Sequence, residues 1–196
     1  MKGEFTMAKQ FIFNDHHTLE GKHAFLSASQ YHWINYDDEK LEERYRNFLA
    51  VQMGTRLHAL AAEHIDLGIK MPKTKQTLNM YVNDAIGFRM KPEQTLFYSP
   101  NAFGTADAIA FNSGTLRISD LKTGITPASM NQLLVYDAYF CLDYGIKPGD
   151  IEHIHRIYQN NEVIEATPRA DDILPIMDKI IRFDKIITDL KEETYA

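Results

Sequence analysis

The stretch "FGTADAIAFNSGTLRISDLKTG", residues 103–124, decides the fold of this chain. It holds two runs rich in β-branched and aromatic residues, separated by the turn signal "NSG". A third run of this kind, "TLFYS" at residues 95–99, comes before it across a Pro-Asn turn. The pattern predicts three short strands in an antiparallel meander.

The second turn also predicts which side chains meet. A two-residue loop at Ser113-Gly114 places Asp107 directly opposite Asp120, with their Cβ atoms about 4.5–5.5 Å apart on one face. Strand alternation brings Lys122 to the face of Asp120 and turns Leu121 to the other face. Two carboxylates and an ammonium are therefore expected side by side. A loop longer or shorter by one residue would separate them.

Periodic apolar residues predict two helices before these strands. The first runs from Asp37 or Asp38 to Gly68, as one long helix or two abutting ones with a kink near Gly54. The second covers residues 78–86, and Pro92 is expected to end it.

The remainder of the chain predicts two more helices and two more strands. Pro127 opens an apolar helical segment that ends at Gly145 and is expected to pack across the sheet. The segments "IEHIHRIYQ" and "EVIEAT" read as strands around the Asn160-Asn161 turn, and residues 173–190 form an amphipathic helix. The predicted order is helix, helix, three strands, helix, two strands, helix.

Composition excludes several classes of protein. The chain has 196 residues, which suits one domain, and its single cysteine, Cys141, excludes an internal disulfide framework and a four-cysteine iron–sulfur cluster. We find no signal peptide and no apolar run of about 20 residues, so a cytoplasmic protein away from membranes is expected. The net charge of −6 argues mildly against a protein that coats nucleic acid, but allows a cation-binding cleft.

The tripeptide Asp-Leu-Lys occurs twice, and the two copies have different interpretations. The copy at 189–191 lies on the polar side of the last helix and is predicted to be solvated surface. The copy at 120–122 ends a strand, where two acids and a lysine suit metal-assisted phosphodiester hydrolysis. The alternative for this copy is a surface salt bridge between Asp120 and Lys122, with Asp107 in a turn.

Four motifs in this chain resemble those of the RecB-type branch of the PD-(D/E)XK nuclease superfamily. They are Gly-x-x-x-His at 54–58, Gly-x-x-Asp at 104–107, Asp-x-Lys at 120–122 and Gln-x-x-x-Tyr at 132–136. The opening "LSASQYHWIN" at 26–35 also looks like the start of such domains. Each motif is weak alone, but their order and their positions on helices and strands match the family.

The resemblance implies a fold and a domain layout. The fold is α/β, with a restriction-endonuclease-like αβββαβ core and a central mixed sheet flanked by helices. One helix is added after the first core helix and one at the C-terminus. A single nuclease domain over 1–196 is expected, with an N-terminal extension at 1–24, the recognisable core at 26–158 and the C-terminal helix at 170–193.

The resemblance also implies a site. Asp107, Asp120, His58 and the Leu121 carbonyl would bind Mg²⁺ or Mn²⁺, and Lys122 would be the catalytic lysine. A histidine ligand favours Mn²⁺. Several relatives hold an iron–sulfur cluster with cysteines that this chain lacks, so it resembles the family members without a cluster.

Two further residues and several alternatives complete this interpretation. Gln132 and Tyr136 would border DNA and support the site. For His58, and for the Gln132 and Tyr136 pair, the alternative is ordinary helix packing. Relatives often carry a glutamate four residues after the histidine, where this chain has Ala62, so Glu63 is a doubtful ligand.

The late strand offers a further group, His153, His155 and Arg156, which either contacts DNA or packs within the fold. The expected function is a metal-dependent deoxyribonuclease of phage type, used as an exonuclease in DNA recombination or processing. DNA is its expected partner, with a recombination protein or a second copy of the chain as further candidates. The alternative is a nuclease-fold module that binds DNA ends or a protein with little or no catalysis.

Overall fold

The protein has an α/β structure in which helices flank a five-stranded mixed sheet. The computed structural model describes residues 14–195. The chain divides into a unit of residues 1–48 and a unit of residues 49–196. The boundary between them falls inside helix α1, Asp38–Asp66.

The first unit is built from short helical segments and an aromatic cluster. Two 3₁₀ helices span His17–Leu19 and Ala28–Asn35. The Phe25 ring lies edge-on to Tyr45 with 5.1 Å between ring centroids, and its centroid is 5.3 Å from that of Phe48. These ring contacts attach the segment before the second 3₁₀ helix to the start of α1.

Both predicted N-terminal helices are present. Helix α1 is a single helix, and the Asp37 carboxylate caps it by accepting the Lys40 N–H at 2.8 Å. Gly68 follows the helix with φ +67°, a left-handed conformation that glycine adopts without strain. Helix α2 covers Thr77–Gly87. Pro92 does not end it, because Pro92 lies inside an edge strand, where a missing N–H is tolerated.

The sheet confirms the predicted meander and its two additional strands. In the sheet formed by residues 91–166 the order is β1-β2-β3-β4-β5, where the β3–β4 pair is parallel and the other pairs are antiparallel. The strands are β1 Lys91–Ser99, β2 Ala102–Asn112, β3 Thr115–Leu121, β4 Glu152–Gln159 and β5 Glu162–Ala166. The parallel pair follows from the helix that carries the chain from the end of β3 back to the start of β4.

Helix α3, Asn131–Tyr144, is this connection. It begins a few residues later than the apolar run that starts at Ala128, and Gly145 ends it with φ +64°, as predicted. The C-terminal helix α4 covers Ala170–Tyr195. Within residues 14–195, no helix is both long and apolar enough to cross a membrane.

Two apolar layers hold the helices against the sheet. Residues of α1 and α2 cover one side, and residues of α3 cover the other. The first layer includes Ala61, Ile65, Tyr81, Val82, Ala85, Ala108, Leu121 and Tyr158. The second includes Leu96, Ile109, Leu116, Ile118, Leu133, Phe140 and Ile157. The predicted packing of α3 across the sheet is thus confirmed.

The second Asp-Leu-Lys tripeptide lies in α4 and is only partly the solvated surface that its sequence predicts. Asp189 is exposed and pairs with Lys185, one helical turn away, at 2.7 Å. Lys191, however, donates a hydrogen bond to the Asn101 side chain in the β1–β2 turn. The tripeptide therefore helps to attach α4 to the sheet.

Candidate active site

The hairpin of β2 and β3 has the register that its turn predicts. Ser113 and Gly114 have φ of +51° and +78°, as a two-residue hairpin turn requires. Strand pairs run from Asn112 opposite Thr115 to Ala108 opposite Ser119. Asp107 and Asp120 occupy the next position, just beyond the last paired residues. Asp107 therefore lies within β2 rather than in a turn.

The two carboxylates differ in their surroundings. Asp107 accepts the backbone N–H of Leu121 at 2.9 Å through Oδ2, which ties its side chain to β3. Asp120 is 2% exposed, and its Oδ2 is buried without a hydrogen-bond partner among the described residues. Burial and the nearby charge of Asp107 raise the pKa of Asp120, against the opposing effect of Lys122. Because Asp120 is buried, its ion pair with Lys122 is not the surface salt bridge of the alternative interpretation.

Lys122 is held by two partners. Its Nζ donates to Asp120 Oδ1 at 3.0 Å and to Gln132 Oε1 at 2.8 Å. Gln132 Nε2 in turn donates to the hydroxyl of Tyr136 at 3.0 Å, one turn further along α3. These hydrogen bonds fix the position of the ammonium. The lysine side chain is also 31% exposed, so it remains accessible to solvent.

The two motif glycines allow close approach of backbone. A Cβ on Gly54 would lie 2.8 Å from Thr123 Oγ1, next to the end of β3. A Cβ on Gly104 would lie 3.0 Å from the ring of Tyr136. The glycine of the first motif therefore packs against the residue that follows the third motif, and the glycine of the second packs against the tyrosine of the fourth.

His58 reaches the site from α1, one turn after Gly54. Its Nδ1 lies 3.4 Å from Asp107 Oδ2, and its side chain is 29% exposed. The interaction with Asp107 raises the pKa of His58, although burial opposes this change. Of the two interpretations of His58, the structure supports a side chain directed at the acidic group.

Glu93 also belongs to this group, and the sequence did not point to it. Ligand atoms of His58, Glu93 and Asp107 all lie within 4.8 Å of one another. Pro92 and Gln94 pair with Ala108 and Ala106, so Glu93 sits at the position opposite Asp107.

The sequence pattern does not mark Glu93, because the β-branched and aromatic run that predicts the first strand begins at Thr95, after Pro92. Extending the β1–β2 register backwards past the proline is the one signal that would have found it. Glu63, the doubtful alternative, is exposed on α1 and lies outside the group.

Two of the three residues singled out on the late strand lie inside the protein. His153 and His155 are buried and both bond to the Asp137 carboxylate of α3 at 2.8 Å. Arg156 pairs with Glu165 at 2.6 Å and lies over the Phe88 ring, 4.9 Å from its centroid. The packing interpretation is the right one for both histidines.

A cavity adjoins the lysine. It has a volume of about 320 Å³ and lies between α1, the start of α2, the end of β3 and the β4–β5 turn. Its walls include Leu78, Thr77, Lys122, Thr123, Asn160 and Asn161. The cavity offers both apolar and hydrogen-bonding groups next to the ammonium.

Comparison of the chain with family models, curated proteins and solved structures finds no match.

The residues present fit a divalent cation. Carboxylate oxygens and one imidazole nitrogen are ligands that Mg²⁺ or Mn²⁺ accepts. The buried Asp120 Oδ2 lacks a hydrogen-bond partner beside this group, and a cation would satisfy it. His58, Glu93, Asp107 and Asp120 are the side chains that could hold the ion. The proposed part of the Leu121 carbonyl stays a prediction.

Proposed function

We propose that this protein is a metal-dependent deoxyribonuclease with a restriction-endonuclease-like core, and that it acts as an exonuclease in DNA recombination or processing. The observation that supports it most is the Lys122 ammonium, held by Asp120 and Gln132 beside the group of His58, Glu93 and Asp107. A fixed cation next to a cluster of metal-binding groups is the arrangement that phosphodiester hydrolysis needs.

The chain's own residues contribute in three ways. The Lys122 ammonium orients the attacking water and offsets the negative charge that grows on the phosphate oxygens. Gln132 and Asp120 restrict the motion of that ammonium, because each accepts one of its hydrogen bonds. Mg²⁺ or Mn²⁺ bound by the acidic group would neutralise the phosphate and help to form the nucleophile.

The cavity beside Lys122 supports a substrate at this place. Its volume of about 320 Å³ and its mixed lining suit a nucleotide next to the bond that is cut. Entry of a strand end into this cavity is the proposed reason for exonuclease action. A substrate without an end would then be a poor one.

The test uses purified protein with end-labelled linear duplex and single-stranded DNA, and with covalently closed circular DNA, each with Mg²⁺ or Mn²⁺. We expect degradation of linear DNA only. Lys122→Ala should lower the rate about 10²-fold or more, because a positioned proton-transfer or charge-stabilising group contributes at least that much.

The second Asp-Leu-Lys copy supplies a matched control. Asp120→Asn and Asp189→Asn make the same chemical change in the same tripeptide, once in the site and once on the exposed face of α4. Only the first should lower activity. Equal rates for wild type and Lys122→Ala would refute the proposed mechanism.

The alternative, a binding module with little catalysis, has one observation in its favour. The distal half of α4 exposes Phe183, Ile186 and Leu190, which are 47%, 49% and 56% accessible. Apolar side chains exposed together are typical of a protein contact. Metal-independent binding of DNA ends, with no cleavage by wild type in either metal, would favour this alternative.

A further inference from the structure

The backbone of Glu93 has an unusual conformation for its place in the sheet. Its φ is +47°, in the left-handed region, although it lies within β1. The residues on either side keep their pairing with β2, so the distortion is confined to this residue. A non-glycine residue in this conformation is strained, and such strain concentrates at functional sites.

Strand pairing places this third acid beside two others. Glu93 sits opposite Asp107, and Asp107 in turn sits at the register position of Asp120. Neighbouring carboxylates on a sheet repel one another unless cations offset their charge, and of these three Lys122 pairs with Asp120 alone.

The charges in this group suit one divalent ion. Glu93, Asp107 and Asp120 carry three negative charges when ionised, and Lys122 carries one positive charge. The remaining two negative charges equal the charge of one Mg²⁺ or Mn²⁺. Asp120 Oδ2 supplies an independent sign of a missing ligand contact, because it is buried without a partner in the described structure.

Distances within the group agree with one shared ion. Ligands on opposite sides of an octahedral Mg²⁺ are about 4.2 Å apart, and adjacent ligands are about 3 Å apart. The ligand atoms of His58, Glu93 and Asp107 lie within 4.8 Å of one another, and His58 Nδ1 is 3.4 Å from Asp107 Oδ2. The group is thus about as wide as the ligand shell of a single ion.

We propose that Glu93 is a metal ligand and that, with His58 and Asp107, it binds a single divalent cation in the protein free of DNA. The inference rests on the proposed metal-dependent function, and it adds to that function a ligand from an edge strand and a stoichiometry of one. Asp120 completes the charge balance from β3 while it holds Lys122.

The test is calorimetric titration of the metal-free full chain with MnCl₂, without DNA. Wild type should bind one Mn²⁺ per chain. Glu93→Gln, which keeps the size of the side chain and removes its charge, should raise the Mn²⁺ dissociation constant at least tenfold. Glu63→Gln is the matched control, because it removes an exposed acid outside the group, and it should bind Mn²⁺ as wild type does.

A second readout separates lost ligation from lost folding. In EDTA, Glu93→Gln should unfold at a temperature no lower than that of wild type, because the substitution removes repulsion from Asp107. The rise in melting temperature that Mn²⁺ gives to wild type should be largely lost in this variant.

The possible outcomes are distinct. An unchanged dissociation constant in Glu93→Gln, two equivalents of Mn²⁺ per wild-type chain, or no Mn²⁺ binding at all would each overturn the inference. Binding of one Mn²⁺ that depends on Glu93, in a protein that cuts no DNA, would uphold the inference and refute the proposed nuclease function.

Discussion

Replacing Asp137 by asparagine should destabilise the protein more than any exposed acid can. Asp137 is completely buried and accepts hydrogen bonds from His153 Nδ1 and His155 Nε2, both at 2.8 Å. His153 Nε2 also faces a hydrogen-bond acceptor, the Pro148 carbonyl, at 2.8 Å. Both ring nitrogens of His153 must therefore carry hydrogens, so this histidine is a cation paired with Asp137.

The magnitude follows from this geometry. Removing one partner of a buried ion pair costs about 3–5 kcal/mol. Both histidines donate to Asp137 Oδ2, and the asparagine oxygen could take its place, but the charge would be lost and the NH₂ group would face Cys141 Sγ, so we expect about 3 kcal/mol. In a chain of this length each kcal/mol lowers the melting temperature by about 2–4 °C, which gives a fall of about 6–12 °C.

The stability of the protein should fall both at acid and at alkaline pH, for two different reasons. Burial opposes ionisation of Asp137, but the two histidines lower its pKa below the ordinary 3.8. The stability that ionised Asp137 contributes is therefore lost as pH falls through the lowered pKa. Burial likewise opposes protonation of His153, but Asp137 and the Pro148 carbonyl raise its pKa above 6.5. The stability that protonated His153 contributes is therefore lost as pH rises through the raised pKa. Both contributions are complete only between pH 3.8 and 6.5.

The assay is thermal unfolding by circular dichroism from pH 3 to pH 9, on wild type, Asp137→Asn and the exposed control Asp189→Asn. Wild type should lose stability at both ends of the range. In Asp137→Asn the decline on the alkaline side should largely disappear, because the charge that raises the pKa of His153 is gone. An Asp137→Asn protein with the melting temperature and pH profile of wild type would refute the ion-pair interpretation.

Three further changes test the site. Gly54→Ala should cost about 1–3 kcal/mol in thermal unfolding, since its Cβ would meet Thr123 Oγ1 at 2.8 Å, whereas Gly87→Ala, with open space, should be neutral or stabilising. Mn²⁺ at 100 times its dissociation constant should add about 2.7 kcal/mol to the free energy of unfolding, and a similar gain in Asp107→Asn would contradict the metal site. Gln132→Ala should lower the cleavage rate about 10–100-fold, as measured at saturating metal, because the ammonium loses one hydrogen-bond acceptor.

The sequence predicted most of the elements because their signals are local. Gly68 and Gly145 mark the ends of α1 and α3 through left-handed backbone that other residues avoid. The Ser113-Gly114 turn specified the β2–β3 register, since a two-residue loop leaves little freedom in pairing. That register alone predicted Asp107 and Asp120 as neighbours. Pro92 misled the same reasoning, because tolerance of proline depends on whether a strand lies at a sheet edge.

What the sequence by itself determined is the set of strands, helices and turns, and the pairing of Asp107 with Asp120, because short-range backbone chemistry controls all of these. Only the tertiary structure showed that Glu93 meets His58 and Asp107, because this group joins side chains of α1, β1 and β2 and packing between separate elements sets such contacts. It also decided that His153 and His155 meet Asp137 inside the protein. That contact depends on how α3 crosses β4, and packing between distant segments sets this crossing.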